Sequence, residues 1–130
     1  MGREIIKTNN APKAIGVYSQ AINIDKKITF TSGQIPIDIK TSDLVSDDFV
    51  IQVNQTLKNI EGILSSRNCN LNNLIKLTIY LTDLDNFDKL NQVFLDFFSD
   101  CEYPARSVIE VSKLPKNSQI EIEAIFYEDN

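Results

Sequence analysis

An arginine and two glutamates near the carboxyl end are the side chains of this sequence best suited to chemistry. Arg106 lies where polar and apolar residues alternate, and Glu121 and Glu123 lie in a second alternating run of the segment YPARSVIEVSKLPKNSQIEIEAIFYEDN. A guanidinium can hold a carboxylate through two parallel hydrogen bonds, and a carboxylate can accept a proton from water. The pattern also fits an alternative, since charged residues on a strand often form ordinary ion pairs or face solvent.

The residue types that the chain lacks exclude several kinds of catalysis. There is no histidine, which removes serine-histidine and cysteine-histidine mechanisms and the commonest transition-metal ligand. Cys69 and Cys101 form no CxxC pair, so they fit structural thiols better than a zinc site. Neither a GxGxxG nor a GxxxxGK[ST] phosphate loop occurs. We therefore expect neither a metal nor a nucleotide cofactor.

Length and charge narrow the class of protein and of partner. The 130 residues fit one domain, 1–130, which buries about two thirds of its unfolded surface. The 18 acidic and 13 basic residues give a net charge of -5, and no basic patch is apparent, so no nucleic-acid partner is expected. The amino terminus resembles neither a signal peptide nor a membrane span. These features predict a cytoplasmic protein without a membrane partner.

Hydrophobic periodicity predicts the elements that position these side chains. Short strands are expected over residues 4–7 and 18–24 and near 28–32, and an amphipathic helix from the N-cap Ser46 to about Arg67. Asn68 can end that helix in a left-handed conformation. The apolar residues that define the helix are Val50, Val53, Leu57, Ile60 and Leu64.

In the second half of the chain, the hydrophobic pattern again changes from the alternation of a strand to the spacing of a helix. Alternation over residues 75–81 predicts a strand, and a stripe of Phe87, Leu90, Phe94 and Phe97 predicts a helix capped by Asp85 or Asn86. The last two strands, joined by the loop 113–117, are expected to form a hairpin. The fold class is therefore α+β, a single sheet with both helices packed on one face.

The opposite face of such a sheet needs a partner, which predicts a subunit interface and a pocket near it. The residues assigned to this uncovered face are Thr29, Thr31, Thr78, Tyr80, Val108 and Glu121.

Five stretches, distributed over nearly the whole chain, resemble the signatures of the reactive intermediate deaminase family, RidA/YjgF. They are APKAIGVYSQAI at 11–22, SGQIPID at 32–38, NFDKLNQVFLDFF at 86–98, PARSVIEVSKLPK at 104–116 and IEIEAI at 120–125. The resemblance implies a chorismate-mutase-like fold with a mixed sheet, and a homotrimer with sites in the clefts between subunits. It also implies hydrolysis of 2-imino acids, such as 2-iminobutanoate and 2-iminopropanoate, to 2-keto acids and ammonia, without a metal or organic cofactor.

The resemblance also implies roles for individual residues. Arg106 matches the arginine that grips the substrate carboxylate, and Glu121 matches the glutamate near the reacting water. Further substrate-binding positions are matched by Tyr18, Ser32, Gly33, Asn91 and Val108. The chain departs from many relatives at Val17, at Ser42-Asp43 and at Val108, where they have a proline, a glycine and a cysteine. The departure at Val108 excludes a mechanism that depends on a thiol there.

Two other functions remain open from the sequence. One is an endoribonuclease or translation inhibitor, although a chain without histidine and with net negative charge lacks the usual acid-base pair and an electrostatic footprint for RNA. The other is a non-catalytic small-molecule sensor or holdase, which would also need Arg106 to bind a carboxylate. Measuring ammonia release from an enzymatically generated imine separates these functions from the deaminase.

Overall fold

The computed structural model describes residues 2–129, which form one mixed sheet and two α-helices. The strands are β1 (Arg3–Ile6), β2 (Ala21–Ile24), β3 (Ile28–Thr31), β4 (Leu74–Leu81), β5 (Ala105–Glu110) and β6 (Ile120–Tyr127), and the helices are α1 (Phe49–Ser66) and α2 (Phe87–Phe97). The strand order is β1-β2-β3-β6-β4-β5. The predicted α+β class is confirmed. Neither α-helix in the described part of the chain has the length and apolar content needed to cross a membrane.

The two last strands do not form the predicted hairpin. β4 lies between them, parallel to β5 and antiparallel to β6, with α2 making the crossover from β4 to β5. Every second residue of β6, from Ile120 to Phe126, is buried, whereas no residue of β5 is fully buried. The central position therefore suits β6 and the edge suits β5, which places Arg106 at the edge of the sheet.

The start of α1 differs by two residues from the prediction, and its end agrees with it. The N-cap is Asp48, whose carboxylate accepts a hydrogen bond from the amide of Ile51 at 3.0 Å. Ser46 is not the N-cap, because its hydroxyl accepts from the amide of Asp48 before the helix begins. A carboxylate satisfies a free amide and also carries charge favourable to the helix dipole. Asn68 has a φ of 57°, so its left-handed conformation is confirmed.

A single hydrophobic core lies between the helices and one face of the sheet. The core side chains of the helices include Val53, Leu57, Ile60, Leu64, Leu90 and Phe94, and those of the central strands include Leu77, Ile79, Leu81, Ile120, Ile122 and Phe126. Most are no more than 1% exposed. The prediction that both helices cover the same face is confirmed.

The opposite face, which we call the open face, carries exposed apolar side chains. Ile5, Phe30 and Ile109 are 60%, 48% and 44% exposed. Ile5 and Phe30 both lie in register with Ile22 of β2, and Ile109 lies beside Tyr80. A subunit interface on this face stays a prediction.

Register decides which of the residues predicted for that face lie on it. Thr78, Tyr80 and Glu121 do, as cross-strand neighbours on β4 and β6. Thr29, Thr31 and Val108 lie instead on the helix face, so that part of the prediction was wrong. The two threonines are buried there because their hydroxyls have partners: Thr29 accepts from Asn23, and Thr31 accepts from the amide of Ala124 at 2.9 Å.

Candidate active site

Arg106 is held against helix α2 by two aromatic rings and one amide. Its register partner Leu77 is fully buried, so the side chain points to the helix face of the sheet. The guanidinium carbon lies 5.0 Å from the ring centroid of Phe94 and 5.5 Å from that of Phe87, and Nη2 donates to Oδ1 of Asn91. These contacts fix the guanidinium while leaving other N–H groups for a ligand.

Arg106 has no acidic partner among residues 2–129, where the salt bridges are those of Arg67 with Glu4 and Glu128. Burial lowers the pKa of Arg106, but a guanidinium keeps its charge in proteins. A half-buried cation without a counter-ion attracts an anion. Arg106 therefore has the setting of a binding group for a carboxylate or a similar anion.

A cavity of about 420 Å³ opens beside this guanidinium, and we call it the arginine pocket. It is lined by Asn91, Phe94, Leu95, Tyr103, Pro104 and Arg106. The walls are mostly apolar side chains around one cation and one amide. Such a lining fits a small molecule with an anionic group and an apolar remainder.

Glu121 lies in a different cavity, at the open face of β6. This glutamate pocket, of about 250 Å³, is lined by Ile15, Tyr18, Ser32, Gly33, Ile35, Pro115 and Glu121. The carboxylate packs against Gly33 so closely that a Cβ atom there would lie 2.0 Å from Oε2. Reciprocal backbone hydrogen bonds between Gln34 and Ile122, of 2.8 and 2.9 Å, hold the two segments together. Glycine at position 33 therefore leaves the space that the Glu121 side chain occupies.

The surroundings of Glu121 favour its protonated form. Burial raises the pKa of Glu121, and the negative charge of Glu123 raises it further. A carboxyl group that holds its proton more readily than an exposed glutamate is better suited to proton transfer near neutral pH.

The loop before β2 positions the other side of the glutamate pocket. Gln20 is buried, and its amide nitrogen donates to the carbonyls of Thr8 and Pro12 at 3.1 and 2.7 Å. The hydroxyl of Tyr18 accepts from the amide of Ile15 at 3.1 Å, and its ring borders the pocket. Ser32 donates its hydroxyl to the carbonyl of Ser19 at 2.6 Å. The Ser32 hydroxyl thus holds the loop in place.

The residues predicted for one site fall into two groups on a single chain. Arg106 and Asn91 line the arginine pocket, whereas Glu121, Gly33, Ser32 and Tyr18 line the glutamate pocket. Arg106 points to the helix face, Glu121 points to the open face, and β4 separates their strands. One chain therefore does not bring the arginine and the glutamate to the same ligand.

Val108 lies in neither cavity lining; it is next to Ile79 and packs against the core. Sequence reasoning did not assign Phe94, Tyr103 or Pro115 to a pocket. Phe94 belonged to a stripe interpreted as core, and its helical spacing gave no sign that the ring also lies beneath a cation. Within residues 2–129, no cluster of three or more His, Cys, Asp or Glu side chains could hold a metal ion.

Comparison with known proteins places the chain among close relatives. The family model described as Endoribonuclease L-PSP matches residues 8–128. A RutC family protein of Pyrococcus horikoshii is 48% identical over 127 residues, which cover 98% of this chain and 99% of that protein. The 2-iminobutanoate/2-iminopropanoate deaminase of Homo sapiens is 41% identical over 123 residues, with 95% and 88% covered.

Solved structures share the fold along nearly the entire chain. A Rid family protein from Yersinia pestis superposes with a TM-score of 0.92 at 42% identity, covering 98% of this chain and all of that one. The YjgF gene product of E. coli superposes with a TM-score of 0.91 at 38% identity, covering 97% and 99%. Because the match extends over sequence, fold and length, the chain belongs to the RidA/YjgF family, which is the family that the Endoribonuclease L-PSP model describes.

Proposed function

We propose that this protein is a deaminase that hydrolyses 2-imino acids, such as 2-iminobutanoate and 2-iminopropanoate, to 2-keto acids and ammonia. The observation that carries the proposal is Arg106, a fixed and partly desolvated cation without an acidic partner, in a mostly apolar pocket. A small 2-imino acid offers the matching groups, a carboxylate and a short apolar side chain. The mammalian relatives named as imine deaminases support this substrate class.

Arg106 binds the substrate carboxylate in this proposal. Its planar guanidinium forms two parallel hydrogen bonds with a carboxylate, whereas the rings of Phe87 and Phe94 and the amide of Asn91 keep it oriented. Holding the carboxylate fixes the adjacent imine carbon relative to the protein. Val108 would contribute only backbone groups or packing beside Arg106.

Glu121 handles the proton of the attacking water. Water adds to the imine carbon and gives a proton to the carboxylate, and the C=N double bond becomes a C–N single bond. Glu121 returns that proton to the nitrogen, which gives a carbinolamine. The carboxylate then takes the proton of the new hydroxyl group and passes it to the nitrogen, so that the C–N bond breaks, ammonia leaves and the C=O bond forms. Tyr18, Ser32 and Gly33 shape the pocket around the water. Because imines also hydrolyse unaided, the benefit is the faster removal of a reactive by-product of pyridoxal-enzyme chemistry.

The complete site requires two subunits. The arginine pocket of one subunit would face the glutamate pocket of another, in a homotrimer built on the apolar open face. The separation of the two pockets on one chain supports this arrangement, as do the exposed Ile5, Phe30 and Ile109.

Substitution of Arg106 tests the proposal. Arg106→Ala should lower kcat/KM for imine hydrolysis by about two to four orders of magnitude, because a charge-assisted hydrogen-bond pair is lost. Arg106→Lys should restore little of it, since lysine lacks the planar fork. In the assay an amino-acid oxidase generates the imine, and ammonia release is measured. Lys89→Ala is the control, because it removes an exposed positive charge from the same region of α2.

The outcomes separate the three functions. Parental activity in a folded Arg106→Ala variant would contradict the role of the arginine. A parent protein that binds 2-keto acids without accelerating ammonia release would be a binding protein. RNA cleavage that copurifies with the protein through every step would support the endoribonuclease that the family model names. The net charge of -5 and the lack of histidine favour the deaminase over that alternative.

A further inference from the structure

Two side chains beside Glu121 have no part in the mechanism above. Glu123 lies on the same side of β6, two residues farther along, and Tyr80 lies directly across from Glu121 on β4. The hydroxyl of Tyr80 donates to Oε1 of Glu123. Tyr80, Glu121 and Glu123 therefore form one cluster on the open face, which we call the carboxylate cluster.

The charges in this cluster influence one another. Alternate residues of a strand are about 7 Å apart, a distance at which like charges in a partly desolvated site repel. Burial raises the pKa of Glu121 most, and the negative charge of Glu123 raises it further. The pKa of Tyr80 is raised mainly by its hydrogen bond to Glu123, as expected for a phenol that donates to an ionised carboxylate.

The neighbouring elements also bring other titratable groups toward Glu121. β4 also carries Lys76, opposite Ile125 and beyond the row of Glu123. The loop before β2 brings Tyr18, with Lys13 in the adjoining cavity. The turn after β5 brings Pro115, followed by Lys116, and the neighbouring β5 residues Ser107 and Ile109 are uncharged.

We propose that Glu123, held by the hydroxyl of Tyr80, is a positioning residue that sets the proton affinity of Glu121. The inference rests on the proposed function, in which Glu121 transfers a proton. Glu123 makes Glu121 a stronger base, whereas the hydrogen bond from Tyr80 draws negative charge away from Glu123 and keeps its carboxylate in place. The two side chains therefore act on Glu121 in opposite directions.

A purely structural role makes a different prediction. A tyrosine and a glutamate on adjacent strands can simply stabilise the sheet, by about 0.2 to 1 kcal/mol for such a pair. Either substitution would then reduce the melting temperature or the oligomer fraction and leave the titration of Glu121 unchanged.

The experiment compares the parent with Glu123→Gln, Tyr80→Phe and the double variant. Two properties are measured from pH 4 to 9: ammonia release above the uncatalysed rate, and the ¹³C carboxyl resonance of Glu121 in protein labelled at glutamate. Glu61→Gln is the control, because it removes the same charge from an exposed position of α1, on the other side of the sheet.

The sign of each shift follows from the charge removed. Glu121 acts as its ionised form, so activity falls below its pKa. Glu123→Gln should move the acid limb of the profile to lower pH and raise the rate on that limb about two- to fivefold. Tyr80→Phe should move the limb to higher pH, because the charge on Glu123 is then less shared. Tyr80→Phe should have no further effect in the Glu123→Gln background.

The two readouts keep this inference separate from the proposed function. If the parent releases no ammonia above background, the deaminase proposal fails, and the resonance of Glu121 alone decides whether Glu123 controls its titration. If both single variants titrate like the parent at Glu121, the inference is wrong, whatever their activity. Oligomeric mass and melting temperature are measured for each variant to identify any that is misfolded. If one single variant is misfolded, the titration of Glu121 in the other single variant tests the inference.

Discussion

At the scale of single residues, the arginines of this chain differ in what surrounds them. Arg67 is neutralised by Glu4 at 3.1 Å and Glu128 at 2.9 Å, which ties the end of α1 to β1 and to the residue that follows β6. Arg106 contacts aromatic rings and an amide, none of which cancels its charge. Identical side chains thus serve different purposes, and the difference lies in the neighbours.

Gly33→Ala tests the packing of the glutamate at the same scale. The new methyl group would lie 2.0 Å from Oε2 of Glu121, so the carboxylate must move. The backbone of Gly33 does not have a positive φ, so alanine adds no backbone strain there. We expect kcat/KM to fall at least about tenfold with little change in melting temperature, since one end of a flexible side chain is displaced.

Gly2→Ala is the matched control, because its methyl group would meet only ordinary contacts, the nearest at 3.5 Å. Unchanged activity in a folded Gly33→Ala protein would show that the position of the Glu121 carboxylate does not limit the reaction.

At the scale of elements, the crossover from β4 through α2 to β5 builds the arginine pocket. Because α2 precedes the edge strand and packs beside it, Phe87, Asn91 and Phe94 lie beside Arg106. The other pocket depends on helix α1, against which the loop carrying Tyr18 closes at Gly62. A Cβ atom at position 62 would lie 1.9 Å from the carbonyl oxygen of Asn10.

Gly62→Ala should therefore destabilise the protein, although alanine is favoured over glycine in a helix by about 1 kcal/mol. The clash is with main-chain atoms, which cannot rotate away, so the loop must shift. We expect a net loss of about 1 to 3 kcal/mol in urea unfolding at constant protein concentration. Glu61→Ala, the exposed neighbour on α1, should be neutral or stabilising. A Gly62→Ala protein as stable as that control would show that the loop adapts without cost.

At the scale of the whole molecule, the two pockets and the open face favour an assembly. The apolar side chains Ile5, Phe30 and Ile109 are exposed on a chain that carries a net charge of -5. Burying this face between copies removes apolar area from water, and the closed symmetry of a trimer would create three equivalent clefts.

Mixing two inactive variants tests whether each site spans two subunits. We expect Arg106→Ala and Glu121→Gln each to inactivate one pocket, so subunits exchanged in equal amounts should regain about a quarter of the sites with both residues intact. Ammonia release measured before and after subunit exchange gives the result, and light scattering should give three times the chain mass of 14.7 kDa. Recovery that fails although exchange is demonstrated would place each site within one subunit.

The sequence by itself determined the local elements and the residues worth testing. Periodicity located both helices, and Asn68 marked the end of the first. Both signals can be read from the sequence, because the buried face of a helix and its left-handed cap depend on residues close together in the chain. The family signatures identified the fold, and they pointed to Arg106 and Glu121 before any contact was known.

The tertiary structure decided what depends on residues far apart in the chain. The predicted hairpin of the last two strands failed because strand partners are chosen by burial in the whole sheet, where β4 takes the position between them. Register placed Thr29 and Thr31 in the core, although alternation alone suited either face. The same register turned Arg106 and Glu121 to opposite sides, since the direction of a side chain is set by the strand's partner as well as by its own sequence.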